Sequence, residues 1–345
     1  MHGRRVIAVV APQRKVAAHS AITLQPRHLR RACVWPISRG PSLARPPLST
    51  LSFAPLSHRA LVAVRGEDRG AFLQGLVTAD VRNVEAGLAA WSAFLTPQGK
   101  FLHEFFMFTL GDAIWLECER ARRDDLISRL SKYKLRAKVT LEAVDVLAVG
   151  TAWGRNVEAA FGLRSSPGVI TPLGAGVVFT DPRLLDAGVR WALLADNAAA
   201  VLKELGLKES TPAEYDALRF ALGLPDGSRD MDVEKALLLE NGFDELNGID
   251  YKKGCYVGQE LTARTHYRAL IKKRLLPVSL EGSVPPGTPL VAEGQEAGEM
   301  KSSADGEGLA LVRLDAWRGA PDGVLTAGHV KVTPHPAGWM KLPSE

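Results

Sequence analysis

The sequence predicts an α+β chain: a body that mixes short strands with a few helices, followed by a small C-terminal β-barrel. Two observations carry this reading. Up to about residue 270, apolar runs of strand length alternate with stretches whose apolar residues recur at helical spacing. After Arg274 only short apolar runs remain, Leu275 to Leu280, Leu309 to Leu314 and Leu325 to Val332, separated by turns such as Val284-Pro285-Pro286-Gly287. Short strands with Gly- and Pro-rich punctuation are the pattern of a closed antiparallel sheet. With 345 residues the chain can build two or three lobes around a sizeable core. The expected division is 1–50 outside the fold, 51–270 as the α+β body and 271–345 as the barrel.

The N-terminal stretch is set apart by charge. Residues 1–66 hold eleven Lys or Arg and no acid, whereas the remainder holds 32 basic and 38 acidic residues, a net charge of −6. The overall charge of +5 is therefore a property of the leader. A body that binds nucleic acid generally carries its basic footprint on the domain itself, so such binding is expected to be absent or indirect. Arg-rich, acid-free composition fits a mitochondrial transit peptide. The competing reading is an over-extended start, with a cytoplasmic protein beginning near Leu51 to Pro55. The cytoplasmic reading is preferred and the mitochondrial matrix is the alternative. No run of about 18 apolar residues occurs, so no membrane partner is expected. The three cysteines, Cys33, Cys118 and Cys255, form no Cys-x-x-Cys pair, and no tightly bound metal is expected.

Taken in order, Ala60 to Val64 reads as a strand and Gly70 to Leu76 as a helix onset. Ala89 to Leu95 is a second strand. Thr96-Pro97-Gln98-Gly99-Lys100 has the chemistry of a turn and leads into Phe101 to Phe108. His103 and Glu104 on that strand are either an acid–base pair or members of its polar face. Ala113 to Cys118 reads as a strand with Cys118 in a structural role. Residues 120–138 hold eight basic residues. Their last part alternates with period two, which predicts a strand presenting Lys132, Lys134, Arg136 and Lys138 on one face. That face is either solvated or turned towards an anion, a folate glutamate tail or an RNA phosphate. Val144 to Gly150 and Trp191 to Ala195 read as strands and Asp196 to Leu205 as a helix. Thr211-Pro212-Ala213-Glu214 starts another helix, with a capping-box pattern and Pro at N1, that ends at Gly223-Leu224-Pro225.

The most informative stretch runs from Asp244 to Pro277. Its centre, Lys253-Gly254-Cys255-Tyr256-Val257-Gly258-Gln259-Glu260, puts a lone thiol between two glycines that permit a positive-φ turn. From Gln259 to Arg268 the pattern suits a helix, so Cys255 lies near a helix N-terminus, and Lys252 and Lys253 precede it. Cations and that helix end both favour a thiolate. The residue is a working thiol or, on the plainer reading, a small loop residue.

This stretch resembles the Lys-Gly-Cys-Tyr-x-Gly-Gln-Glu signature of the YgfZ-type folate-binding proteins, iron–sulfur cluster assembly relatives of the glycine-cleavage T-protein (aminomethyltransferase). Lys253, Gly254, Cys255, Tyr256, Gly258, Gln259 and Glu260 all match, and Leu261 to His266 and Lys272-Lys273-Arg274 are similar too. The likeness extends over about 55–340 and includes the Thr96 to Lys100 hairpin.

The resemblance implies two interleaved T-protein-like folate-binding lobes around a central cleft, with tetrahydrofolate as the cofactor. It implies Cys255 as the working residue, with Lys253, Gln259, Glu260 and Arg264 around it, and Arg219, Asn241 and Tyr256 as folate-binding residues. Where the T-protein carries an aspartate after the hairpin, this chain has none, and where it carries a pterin-contacting glutamate, this chain has Ala221. The implied function is folate-linked support of iron–sulfur cluster assembly or repair, with assembly proteins and cluster-dependent client enzymes as partners. A single cysteine cannot hold a cluster, which takes about four thiolates, so the thiol acts by exchange, ligand transfer or attack on a folate-borne carbon. The alternatives are a folate-dependent aminomethyltransferase and a non-catalytic tRNA or protein adaptor.

Overall fold

The computed structural model describes residues 50–268 and 271–343. The expectations for the leader lie outside them. The described residues open with β1 (Ser52–Pro55) in one sheet, and the chain then crosses to a second. There it lays down β2 (Arg59–Arg65), α1 (Arg69–Gln74), α2 (Val81–Glu85), β3 (Ala90–Leu95), β4 (Phe101–Leu110), β5 (Ala113–Glu119), α3 (Arg123–Ser131) and β6 (Thr140–Val144). These strands form a five-stranded sheet in the order β3-β4-β5-β2-β6. The chain then returns with β7 (Leu147–Trp153), α4 (Val157–Ala160), β8 (Ile170–Leu173), β9 (Gly176–Thr180), β10 (Val189–Leu194), α5 (Ala198–Glu204) and β11 (Lys208–Glu209). These complete a six-stranded sheet, β11-β1-β7-β10-β9-β8. One sheet thus takes strands from either side of the other in sequence, and the lobes are interleaved as expected.

Helix α6 (Pro212–Leu222) follows, with Thr211 accepting the Glu214 N–H as N-cap, Pro at N1 and a left-handed Gly223 closing it. A long irregular segment leads to α7 (Gln259–Tyr267). The remaining strands are β12 (Lys273–Leu280), β13 (Pro289–Ala292), β14 (Gln295–Ala304) and β15 (Glu307–Arg313), then α8 (Leu314–Gly319), β16 (Leu325–Ala327) and β17 (Val330–Pro334). They close as β12-β15-β14-β13-β16-β17, the barrel read from the sequence. The Trp339 indole N–H donates to the Leu222 carbonyl at 2.7 Å, and Arg274 bonds Glu245 and the Leu239 carbonyl, so barrel and body share hydrogen bonds. Among the described residues no helix is long and apolar enough to cross a membrane.

Two expectations are corrected. Residues 132–139 form turns rather than a strand, and Leu135 sits at φ 44, which strand pairing does not allow. His103 and Glu104 do not line a polar face, because β4 is a central strand covered on both sides and both side chains are buried. The His103 imidazole meets Asp125 at 3.0 Å, and burial, with Arg122 nearby, lowers its pKa to about 4, so it is neutral at pH 7. Cys118 is also buried, and burial pushes its thiol up to about 12, in keeping with a structural role.

Between the two sheets lies a buried ionic network. Arg59 on β2 donates to both carboxylates Glu104 and Glu117, to the Glu117 carbonyl at 2.9 Å, and to Asp226 at 3.1 Å. Arg190 on β10 reaches across to Glu117 through Nε at 3.0 Å and through a second, shorter bond from Nη2. Glu117 is therefore held from both sheets at once. Burial alone lowers the pKa of Arg59, but Glu104, Glu117 and Asp226 together hold it well above its ordinary value.

Neutralising the carboxylate that both guanidiniums share leaves buried positive charge without its partner. Glu117→Gln is expected to cost about 3–5 kcal/mol of unfolding free energy in urea titrations. A loss below about 1 kcal/mol shows that the link between the sheets rests on apolar packing alone. His103 adds a pH term of known sign. Its folded pKa of about 4 lies below the ordinary 6.5. Between those values the unfolded chain binds the extra proton, so stability is complete above pH 6.5 and falls as the pH drops towards 4. His103→Gln should flatten the stability curve in that window relative to wild type.

Candidate functional site

The thiol loop is built against the end of the five-stranded sheet. Lys253 turns inward and donates through Nζ to the Gln74 carbonyl at 2.8 Å and to the Val77 carbonyl by a shorter bond. Gln74 returns a bond from Nε2 to the Lys253 carbonyl at 3.2 Å. Burial lowers the Lys253 pKa to about 8, against the opposing pull of Asp80 and Asp250. The Val257 N–H donates to the Gly75 carbonyl at 3.1 Å and the Asp250 N–H to the Thr78 carbonyl at 2.9 Å. The loop is thereby fastened on both sides of the thiol to the chain that follows α1.

Both glycines of the motif have positive φ, +102° at Gly254 and +83° at Gly258, as the sequence requires. They differ in purpose. A Cβ on Gly254 meets nothing within 4 Å, so only its conformation demands glycine. A Cβ on Gly258 would lie 2.5 Å from the Thr96 carbonyl oxygen and 3.0 Å from the Gly99 Cα. The thiol motif and the Thr96 to Lys100 hairpin, 160 residues apart in sequence, are therefore in direct backbone contact.

Cys255 itself is exposed on this fastened loop. Tyr256 turns the other way, buried in the main core beneath Lys253, whose Nζ lies 5.2 Å from the ring centroid. Burial pushes its phenol up to about 12. Gln259, the first residue of α7, accepts the Tyr256 N–H on Oε1 at 3.3 Å, while Glu260 and Arg264 are exposed on that helix. Lys253 was expected to face the thiol with its charge; its ammonium is instead bonded to two carbonyls, and it acts as an anchor. Helix α7 begins four residues after Cys255.

Of the residues read as folate-binding, only Arg219 lines a cavity between the sheets. Its Nε and Nη1 are bound by Asp216 and Asp230, both at 2.6 Å, while Nη2 is buried without a partner among the described residues. Asn241 donates Nδ2 to the Leu237 carbonyl at 2.8 Å, and Tyr256 belongs to the core. Ala221 is not among the residues lining the cavity, so the missing glutamate has no counterpart there. The cavity is bounded by Glu104, Phe106, Arg183, Arg190, Arg219 and Asp226, among others. Its free space of about 10 Å³ holds a single water. The residues present do not fit a pterin ring: the centre is filled by the ionic network and by Phe106, with the Arg190 guanidinium 3.9 Å and that of Arg183 4.8 Å from the ring centroid. Trp91 and Phe243, stacked at 3.8 Å, fill the neighbouring space.

Arg59, Glu117, Arg183 and Arg190 were missed by the sequence reading. A signal existed, since Glu117 interrupts Ala113 to Cys118 and Arg190 interrupts Val189 to Leu194, two otherwise apolar strands. A charge inside a strand covered on both faces needs an opposite charge, but the sequence does not say which one.

The C-terminal region, residues 272–342, matches the family model described as the CAF17 C-terminal beta-barrel domain. The chain is 34% identical to the mitochondrial iron–sulfur cluster assembly factor IBA57 of Mus musculus, over 76% of this chain and 78% of that protein. It is 33% identical to the Homo sapiens protein over the same shares, and 28% identical to the IBA57 homolog of Coccidioides immitis over 86% and 84%. Among solved structures, the glycine cleavage system aminomethyltransferase T of Bartonella henselae superposes with a TM-score of 0.67 at 15% identity, covering 85% of this chain and 87% of that one. That likeness establishes the aminomethyltransferase-type fold. The relatives bear the name IBA57 where the motif resembled the YgfZ type, a related family, and they carry the word mitochondrial where a cytoplasmic protein was expected. The chain belongs to the IBA57 family of iron–sulfur cluster assembly factors.

Proposed function

We propose that this chain supports iron–sulfur cluster assembly by lending the Cys255 thiol as one transient ligand to a cluster held by a partner protein. The observation that carries the reading is the position of Cys255, exposed on a loop that is anchored before and after it. A cluster takes about four thiolates, so three come from the partner. The cluster is cargo. In the exchange, Cys255 releases its proton and forms an iron–sulfur bond, one partner ligand leaves that iron and takes up a proton, and no electrons are transferred. The partners are cluster assembly proteins and cluster-dependent client enzymes. The names of the relatives support a mitochondrial setting.

Tetrahydrofolate takes no part in the proposed step. The size of the central cavity supports leaving it out, as does the burial of His103 and Glu104, which are bonded to Asp125, Arg59 and Trp91 and are not free to serve as acid or base.

In cells that rely on this protein, Cys255→Ser should keep the fold and lower the activities of cluster-dependent enzymes to the level seen without the protein. Cys118→Ala should leave those activities unchanged. Client activities at the wild-type level with Cys255→Ser would remove the thiol from the reaction. Calorimetric titration of tetrahydrofolate into the wild-type chain is expected to show no binding heat. A saturable heat would mean that the centre opens, and would return the one-carbon reading.

A further inference from the structure

The basic stretch that follows α3 is not used by the thiol chemistry. It forms a compact knob closed by backbone bonds from Tyr133 N–H to the Leu130 carbonyl at 3.0 Å and from Ala137 N–H to the Lys134 carbonyl at 2.7 Å. At its tip Leu135 is 91% exposed, the most exposed large apolar residue among the described residues. Lys132, Lys134 and Arg136 flank it in the sequence. None of the three has a carboxylate within ion-pair distance among the described residues, whereas Lys138, just beyond, pairs with Glu67 at 2.7 Å. An exposed apolar residue flanked by unpaired cations is the inverse of an ordinary solvated face, where charges of both signs are interspersed.

The knob also has a defined place. Tyr133 stands edge-on to Phe94 at 5.8 Å, and Phe94 pairs across a β-bridge with Val77. The Val77 carbonyl is one of the two that hold Lys253. Val257, on the other side of Cys255, packs on the same apolar cluster as Phe94. The knob and the thiol loop are therefore supported by the same strand end.

We propose that the turn 132–136 is the docking element for an acidic protein surface with an apolar socket, and that it brings this partner to the exposed Cys255. The proposal rests on the reading of Cys255 as a cluster ligand. Charge complementarity selects an acidic partner, because rim cations steer a negative surface and suppress positive ones. Leu135 selects a protein over a nucleic acid, since a phosphate backbone offers no apolar socket for it. The net charge of −6 on residues 67–345 also disfavours a polyanion that extends beyond the knob.

The test compares four variants in cells that depend on the full chain, with cluster-dependent enzyme activity as the readout. They are the reversal Lys132→Glu/Lys134→Glu/Arg136→Glu, the swap Lys132→Arg/Lys134→Arg/Arg136→Lys, Leu135→Ser, and Cys255→Ser. Melting curves of the purified variants should overlay that of wild type, because the turn is exposed; a fifth variant, the single Arg136→Glu, serves as a milder reversal. Charge reversal is expected to lower client activity by about tenfold. Leu135→Ser should lower it as well, and the charge-keeping swap should leave it unchanged. Wild-type activity of the reversal beside a failing Cys255→Ser overturns the docking proposal and leaves the thiol reading intact. A failing reversal and Leu135→Ser beside a fully active Cys255→Ser removes the thiol reading while the docking surface stands. Loss on reversal with full activity of Leu135→Ser overturns the protein partner in favour of a phosphate-rich one.

Discussion

The architecture depends on one carboxylate, Glu117, held between Arg59 of its own sheet and Arg190 of the other. Two sheets that interleave in sequence must meet somewhere, and here they meet through charge as well as through apolar contact. Ion pairs removed from water are costly, and they persist only where each hydrogen-bonding group finds a partner. Arg59, Arg183 and Arg190 meet that condition, whereas Arg219 Nη2, at the cavity they border, has no partner among the described residues. Arg59 bonds Glu104, Glu117 and Asp226, Glu104 also accepts the Trp91 indole N–H at 2.7 Å, and Arg183 is held by Asp181 at 2.8 Å and 3.0 Å. The Phe106 ring adds a π-face to the guanidiniums of Arg190, Arg183 and Arg59. Phe106 and Glu104 belong to the strand that follows the hairpin, so the residues that close the centre share a strand with the turn that carries the thiol loop.

A closed centre changes what the fold can do. An aminomethyltransferase-type fold has the same layers, yet fold alone does not fix chemistry. In this chain the cavity bordered by Glu104, Arg190 and Arg219 admits one water, and Glu104 and His103 are bound to other side chains. An accessible thiol, Cys255, lies outside the network, on the loop before α7. The rigid interior then acts as a frame: it fixes β3 and β4, these fix the Thr96 to Lys100 hairpin, and the hairpin receives Gly258.

What the sequence disclosed follows how local each signal is. Helix α6 was legible because its cap, first proline and closing glycine are fixed by neighbours in the chain. The barrel was legible because turns punctuate every strand. The positive-φ glycines at 254 and 258 were legible for the same reason. The network was not, because Arg59, Glu117 and Arg190 come from strands far apart, and a strand charge names no partner. The stretch 132–138 misled, since alternating charges imitate a strand when the backbone is in fact turning. The Lys138 N–H donates to the Asp68 carboxylate at 2.8 Å, and Leu135 adopts left-handed dihedrals. Period-two charge patterning reports a face only where the chain is already extended. Lys253 misled in another way: adjacency to Cys255 in sequence implied adjacency of charge, but consecutive side chains in a turn diverge, and the ammonium points inward.

Under the proposed transfer, Cys255 is a ligand that must be given and taken back. A cluster held by four ligands of one protein is retained, whereas one supplied with a single outside thiolate can leave by breaking one bond. For such an exchange the thiolate must stand away from its own protein, so that a partner surface can approach, yet must not wander, because each degree of freedom lost on contact weakens the complex. Lys253, Gln74, Val257 and Gly258 restrict the loop while leaving its apex bare. A tighter site, with further cysteines or histidines converging on the thiol, would trap the cargo; no group of three or more potential metal ligands exists among the described residues. On the proposed reading, transfer needs a weak hold at a fixed position; the fold supplies the position through the sheet, and the hold would rest on one sulfur.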